Sequence, residues 1–131
     1  YMLSSTNATT IPNTHLGDNM LSSTKLNNQA ISLEYEMVLR DYDKVISIDP
    51  TFPYSYYNRA NIRCEQQDFN AALLDYSKAI ELNPDFAEAY FNRALVYTYM
   101  GNNEKAISDL SKAGELGMVS AYNVIKLISE N

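Results

Sequence analysis

The sequence is poor in groups that do covalent chemistry. One cysteine, Cys64, excludes an internal disulfide framework. One histidine, His15, stands in a polar stretch with no second ligand at metal-binding spacing. No CxxC, HExxH, phosphate-cradling glycine loop or Ser-His-Asp set can be assembled. The chain therefore reads as non-catalytic and without metal or cofactor. Positive charge is also short: 10 Lys and Arg against 16 Asp and Glu leave a net charge of −6. That balance argues against nucleic acid, which needs a basic stripe, and equally against an anionic membrane surface. No apolar run approaches the roughly 20 residues of a spanning helix, so membrane insertion is not expected. What remains is ordinary for a folded protein, with 131 residues, 46% of them apolar. The first residue is Tyr1 and not Met, so the sequence reads as a fragment or processed form, and its compartment stays open.

What the chain does have is a period. Sliding it by 34 residues lays Tyr56-Tyr57-Asn58-Arg59-Ala60 onto Tyr90-Phe91-Asn92-Arg93-Ala94. The same shift lays Ala72 to Leu82 onto Ala106 to Leu116, with Asp75, Ser77, Lys78 and Ala79 meeting Asp109, Ser111, Lys112 and Ala113. Self-similarity at a fixed period of this length marks stacked supersecondary units, each burying its apolar face on its neighbours. Such stacks offer an extended surface instead of an enclosed pocket.

Helix signals divide the chain. Residues 1–30 are rich in Ser, Thr and Asn, lack periodicity, and contain Pro12 and Gly17; they read as a polar irregular segment or linker. From Ile31 a stripe of Ile31, Tyr35, Val38, Tyr42 and Val45 has helical spacing, and it stops at Asp49-Pro50. Two helix pairs follow, over about Pro53–Gln66 with Phe69–Leu82, and about Ala87–Met100 with Asn103–Leu116. Thr51 and Asp85 stand where caps of the first helices belong, and Asp68 and Asn102 where caps of the second belong. Asp85 with Glu88 resembles a capping box, and Gly101 suits a left-handed turn. A last amphipathic piece, Val119 to Ser129, carries Tyr122, Ile125 and Ile128.

These residues resemble tetratricopeptide repeats, antiparallel helix pairs of 34 residues. In that register Tyr56 and Tyr90 are the large aromatics of the first helices. Ala60, Ala72 and Ala79, with Ala94, Ala106 and Ala113, are the small residues at helix crossings. Small side chains let helix axes approach to about 8–10 Å. The resemblance implies an all-α, right-handed α-solenoid of antiparallel helix pairs. Its repeats are 51–84 and 85–118, with a degenerate or half unit over 31–50 and a C-terminal capping helix over 119–131. The lead-in Lys112 to Gly117 resembles the endings of some bacterial tetratricopeptide proteins, and the whole reads as the C-terminal end of a longer array.

The family lines its concave face with the first helix of each pair. Here that implies a groove of Tyr54, Tyr57, Asn58, Asn61, Glu88, Phe91, Asn92, Leu95 and Tyr99, with Cys64, Glu65 and Thr98 nearby. Rings supply contact area and amides can grip a peptide backbone, so the implied partner is a protein or peptide segment. The bland alternative is that Tyr57 and Phe91 cover the helix beneath and the asparagines bond locally. The repeats would then be a structural, self-associating or end-capping element without a groove ligand, able to form homo-oligomers through the incomplete N-terminal unit. Co-chaperone members of the family clamp a terminal carboxylate with lysines and an arginine around such an asparagine. The flanking residues here are Tyr54, Tyr57, Glu88 and Phe91, which argues against an acidic chaperone tail. Arg59 and Arg93 take a place usually held by leucine. Ion pairs of Arg59 with Asp41 and of Arg93 with Asp75, joining each unit to the one before, are the expected explanation.

Overall fold

The computed structural model describes residues 16–130. Six helices account for its regular structure: α1 Leu16–Ile48, α2 Pro53–Glu65, α3 Phe69–Leu82, α4 Ala87–Tyr99, α5 Asn103–Glu115 and α6 Ser120–Ser129. The chain divides into two units, Tyr1–Arg40 and Asp41–Asn131. In the second, α2 packs on α3, α3 on α4, α4 on α5 and α5 on α6, a stack of helix hairpins closed by a short last helix. It is an all-α helical-repeat solenoid.

The core follows the 34-residue period. Ala60, Ala72, Ala79, Ala94, Ala106 and Ala113 are fully buried, and so are Ala89 and Ala121. Around these close approaches sit the large side chains that fill the grooves, Tyr76 in the first hairpin and Leu110 in the second. Tyr56 and Phe86 form a further cluster with Ala79 and Ala89, joined by Ile46 from the end of α1. Tyr56 also donates its hydroxyl proton to the Pro50 carbonyl at 2.9 Å, which holds the loop before α2. Beyond α5, Met118, Val124, Ile125 and Ile128 cover Leu110 and Ala113. Gly114 lies beneath Tyr122; a Cβ there would collide with the phenol ring, so the glycine is needed for close approach.

Turns within the hairpins depend on one residue each in the left-handed region, Gln67 at φ 63° and Gly101 at φ 82°. The caps expected from Asp68 and Asn102 form: their side chains accept from the amides of Ala71 and Lys105. Those expected from Thr51 and Asp85 do not. Phe52 and Phe86 hold the cap positions of α2 and α4 without a side-chain bond. Asp49 Oδ1 instead accepts from both the amide and the hydroxyl of Thr51, and Asn83 Oδ1 from the amide of Asp85. The polar residues just before the helices are thus engaged in turns one step too early to cap.

Two further expectations are overturned. The irregular segment was placed over 1–30, but α1 begins at Leu16 and runs unbroken to Ile48; residues 1–15 lie outside the described residues. One period before Gln67 and Asp68 stand Leu33 and Glu34. Leucine in the left-handed region costs about 1–2 kcal/mol, and glutamate is no N-cap. Ser, Thr and Asn inside a helix cost at most about 0.7 kcal/mol each, and Gly17 falls in the first turn, where no intrahelical N–H bond is lost. Once the helix exists, extending it is cheaper than turning.

The second correction concerns the arginines. Arg59 donates from Nε and Nη2 to the two oxygens of Asp75, both at 2.8 Å, and from Nη1 to Asp43 at 2.8 Å. Arg93 binds both oxygens of Asp109 at 2.7 Å and gives its third contact to Ser77 at 3.0 Å. The fork therefore locks the two helices of one hairpin, and only its third arm reaches the helix before it, the end of α1 for Arg59 and α3 for Arg93. Asp75 and Asp109 are nearly buried, which calls for a planar two-point partner. Arg63 Nε also lies 3.1 Å from Asp75, close enough for ionic attraction but without hydrogen-bond geometry. These bonds hold both Arg59 and Arg93 above the ordinary arginine pKa, against the opposing effect of burial.

Candidate protein-interaction groove

Helices α2 and α4 lie side by side in the second unit, and a pocket of about 480 Å³ opens between them over α3. Its floor is polar. Tyr76 projects from α3, and its buried phenol donates a hydrogen bond to Asn61 Oδ1. Asn92 Nδ2 donates to that same oxygen at 3.1 Å and to the Tyr57 hydroxyl at 3.1 Å. The two amides, one from each first helix, are thereby oriented by two tyrosines. Their other ends, Asn61 Nδ2 and Asn92 Oδ1, make no hydrogen bond among the described residues. One donor and one acceptor on two residues that line the pocket are thus left unused, a pattern that complements a peptide unit.

The walls are apolar. Leu95 and Tyr99 come from α4, and Phe69 meets the Tyr99 ring edge-on with centroids 4.9 Å apart. Cys64 lines the same space with its sulfur 3.6 Å from the Tyr76 hydroxyl. Burial raises the Cys64 pKa and pushes that of Tyr76 far above the phenol range, so both are neutral at physiological pH. A neutral thiol and a neutral phenol bond and pack; neither is an activated nucleophile. No group of His, Cys, Asp and Glu with metal-holding geometry occurs among the described residues.

Of the nine groove residues read from the sequence, Asn61, Asn92, Leu95 and Tyr99 line this pocket. Tyr57 stands behind it, its ring against Phe86 at 4.8 Å and Tyr76 at 6.0 Å. Tyr54 packs tilted against Phe86, with ring centroids 4.7 Å apart, and is half exposed. Phe91 packs into the core of α4, α5 and α6, and Glu88 is exposed in the first turn of α4. Asn58 is partly buried and makes no hydrogen bond among the described residues. It is not the equal of Asn92, which bonds to the first helix of the hairpin before it, because no such hairpin precedes α2, where α1 runs unbroken. Thr98 bonds its own helix at Ala94. Phe69, Tyr76, Val96 and Gln67 line the pocket without having been singled out. Tyr76 carried a signal: its repeat partner is Leu110, and a phenol in a core position needs a hydrogen-bond partner.

Models of the tetratricopeptide repeat match residues 41–73 and 87–116, and a model of the TPR repeat matches 60–101. Together they run without a gap from the end of α1 to the end of α5. The chain belongs to the tetratricopeptide repeat family. Among solved structures it is similar to that of MamA, with 28% identity and a TM-score of 0.70 over 81% of this chain. It spans 64% of the MamA chain's length. It is also similar to the first tetratricopeptide domain of Spaghetti (RPAP3), solved with the HSP90 peptide SRMEEVD. That likeness has 27% identity and a TM-score of 0.69, over 82% of this chain and 86% of the other. No curated protein matches the chain. This tetratricopeptide chain is a protein-interaction module by family, and no described helix is long and apolar enough to cross a membrane.

Proposed function

We propose that the chain acts without catalysis, binding an extended peptide or partner segment in the groove between α2 and α4. The observation that carries this reading is the amide pair: Asn61 and Asn92, both lining an apolar-walled pocket, are fixed by Tyr57 and Tyr76 and keep one donor and one acceptor unused. Holding amides in place before a ligand arrives lowers the ordering cost of binding. The Spaghetti domain carries a peptide, which supports the class of partner. Its peptide is acidic; here no lysine or arginine lines the pocket, and Glu65 and Glu88 stand near. Neutral or basic segments are therefore the better fit.

Replacing Asn92 by alanine tests the reading. Binding to partners captured by the wild-type chain should weaken by roughly 1–3 kcal/mol, as when buried hydrogen bonds to a ligand backbone lose their mates. Asn58→Ala should have a smaller effect. Unchanged partners and affinities in Asn92→Ala would mean that the groove is idle, leaving a structural or self-associating role. The exposed Val119, Tyr122 and Leu127 of the C-terminal region favour that second reading.

A further inference from the structure

The groove reading leaves open which side chain of a partner enters the pocket, and the charge of its lining bears on that. Among the described residues Glu65 is the only formally charged one lining it. It is exposed at the last position of α2 and makes no ion pair among the described residues. A carboxylate at a helix C-terminus faces the negative end of the dipole, so helix stability does not account for it. Beside it the aromatic wall of Phe69 and Tyr99 continues into Leu95, with Tyr99 70% exposed. In the groove reading the free amide ends of Asn61 and Asn92 are taken by the backbone of the bound segment, which leaves Glu65 to meet its side chain.

We infer that this pocket receives a lysine or arginine side chain of the bound segment. Its methylene stem would lie along Leu95 and the Phe69–Tyr99 wall, and its cation would sit at Glu65. The proposal rests on the groove reading and names the chemistry of what enters it. A stem over apolar surface with a charged head in water is the usual posture of these side chains, and a ring face adds attraction for the cation. An acidic side chain would meet Glu65 and a chain of net charge −6. A purely apolar one would crowd the carboxylate and leave it unpaired.

Selection from a display library of random linear nonapeptides with blocked C-termini tests this. The full chain serves as bait beside its Glu65→Gln, Glu65→Lys and Asn92→Ala variants, each first shown to be folded by circular dichroism. The wild type should enrich Arg or Lys at one peptide position. The enriched peptides should bind Glu65→Gln about two- to fivefold more weakly, the upper part of the range for one exposed charge pair. Glu65→Lys should shift the preference at that position to Asp or Glu. Peptides that need Asn92 but show no basic preference and ignore Glu65→Gln would overturn the basic pocket and leave the groove standing. Recovery of no peptide, or of peptides indifferent to both Asn92→Ala and Glu65→Gln, would overturn the groove reading and this inference with it.

Discussion

In Asp109→Ala the guanidinium of Arg93 keeps its place between α4 and α5 but loses both carboxylate oxygens, each 2.7 Å away. Ser77 and the faces of Tyr90 and Tyr97 remain around it. Removing one partner of a buried pair costs about 3–5 kcal/mol. The Arg93 side chain is 19% exposed and that of Asp109 only 8%, so water reaches the arginine and softens the loss. The expected cost of Asp109→Ala is about 2–3 kcal/mol, which in a unit of this size lowers the melting temperature by roughly 10–20 °C. Arg93→Leu should cost as much or more, since it strands the more deeply buried carboxylate. The double variant should lose only about 0–1 kcal/mol, because leucine packs where the stem packed and no charge is left unpaired. Urea unfolding followed by both circular dichroism and tyrosine fluorescence measures the cycle, and coincident transitions license the free energies. Two single losses that add in the double to within about 0.5 kcal/mol would show that the pair is not coupled, and the role given to the arginine ladder would be wrong.

Alkaline pH should weaken the fold. Burial raises the Tyr76 pKa above its ordinary 10.0 and that of Cys64 above 9.0, so the folded chain keeps protons that the unfolded chain sheds. The stability these groups contribute is whole below those ordinary values. It should fall as pH rises past them, by at most about 1.4 kcal/mol per pH unit for the buried Tyr76 and by less for the partly exposed Cys64. Tyr76→Phe should remove the part of the decline that begins near 10.0, seen as a flatter course of urea midpoints with pH. At Gly114 an added methyl gains about 1 kcal/mol of helix propensity but must push Tyr122 aside. Gly114→Ala should thus be neutral to about 1 kcal/mol destabilising, and turn stabilising by about 1 kcal/mol in a Tyr122→Ala background; the same sign in both backgrounds would refute the contact. Gln67→Gly should stabilise the first hairpin by up to about 1 kcal/mol, whereas Gly101→Ala should destabilise the second by at least as much; melting curves of the two variants decide it.

Much of the scaffold was legible because packing and sequence share a period. Ala60 and Ala94, or Ala72 and Ala106, can be read as helix crossings since nothing larger lets two backbones approach there. The turns were legible at Gly101 but not at Gln67, whose side chain gives no hint of a left-handed φ. The long run of α1 was missed because Ser, Thr and Asn look like a linker by composition. What decides the matter is the missing turn chemistry at Leu33 and Glu34. The arginine partners were placed one unit too early for a related reason. A period of 34 fixes that Arg59 and Arg93 have equivalent partners, but it leaves open whether those are Asp41 and Asp75 or Asp75 and Asp109. Only the hairpin's geometry settles that choice.

The groove itself was half legible, and the reason lies in how a repeat protein separates its tasks. Positions that hold the stack are the same in both hairpins: Tyr56 with Tyr90, Arg59 with Arg93, Asp75 with Asp109. Most positions that line the pocket are not, Asn92 with its counterpart Asn58 being the exception. Asn61 is matched by Leu95, Cys64 by Thr98, Glu65 by Tyr99 and Phe69 by Asn103. A residue needed by every unit is constrained by the neighbours that every unit has, so it recurs. A residue that meets a ligand is free of that constraint and differs from one unit to the next. The amides of Asn61 and Asn92 come from non-equivalent positions, which is why they can meet across the groove on one oxygen instead of stacking at equal spacing. Asn61, Glu65, Phe69 and Tyr99 break the period while lining the pocket, so under the proposed groove binding they are the positions whose exchange should change the choice of partner.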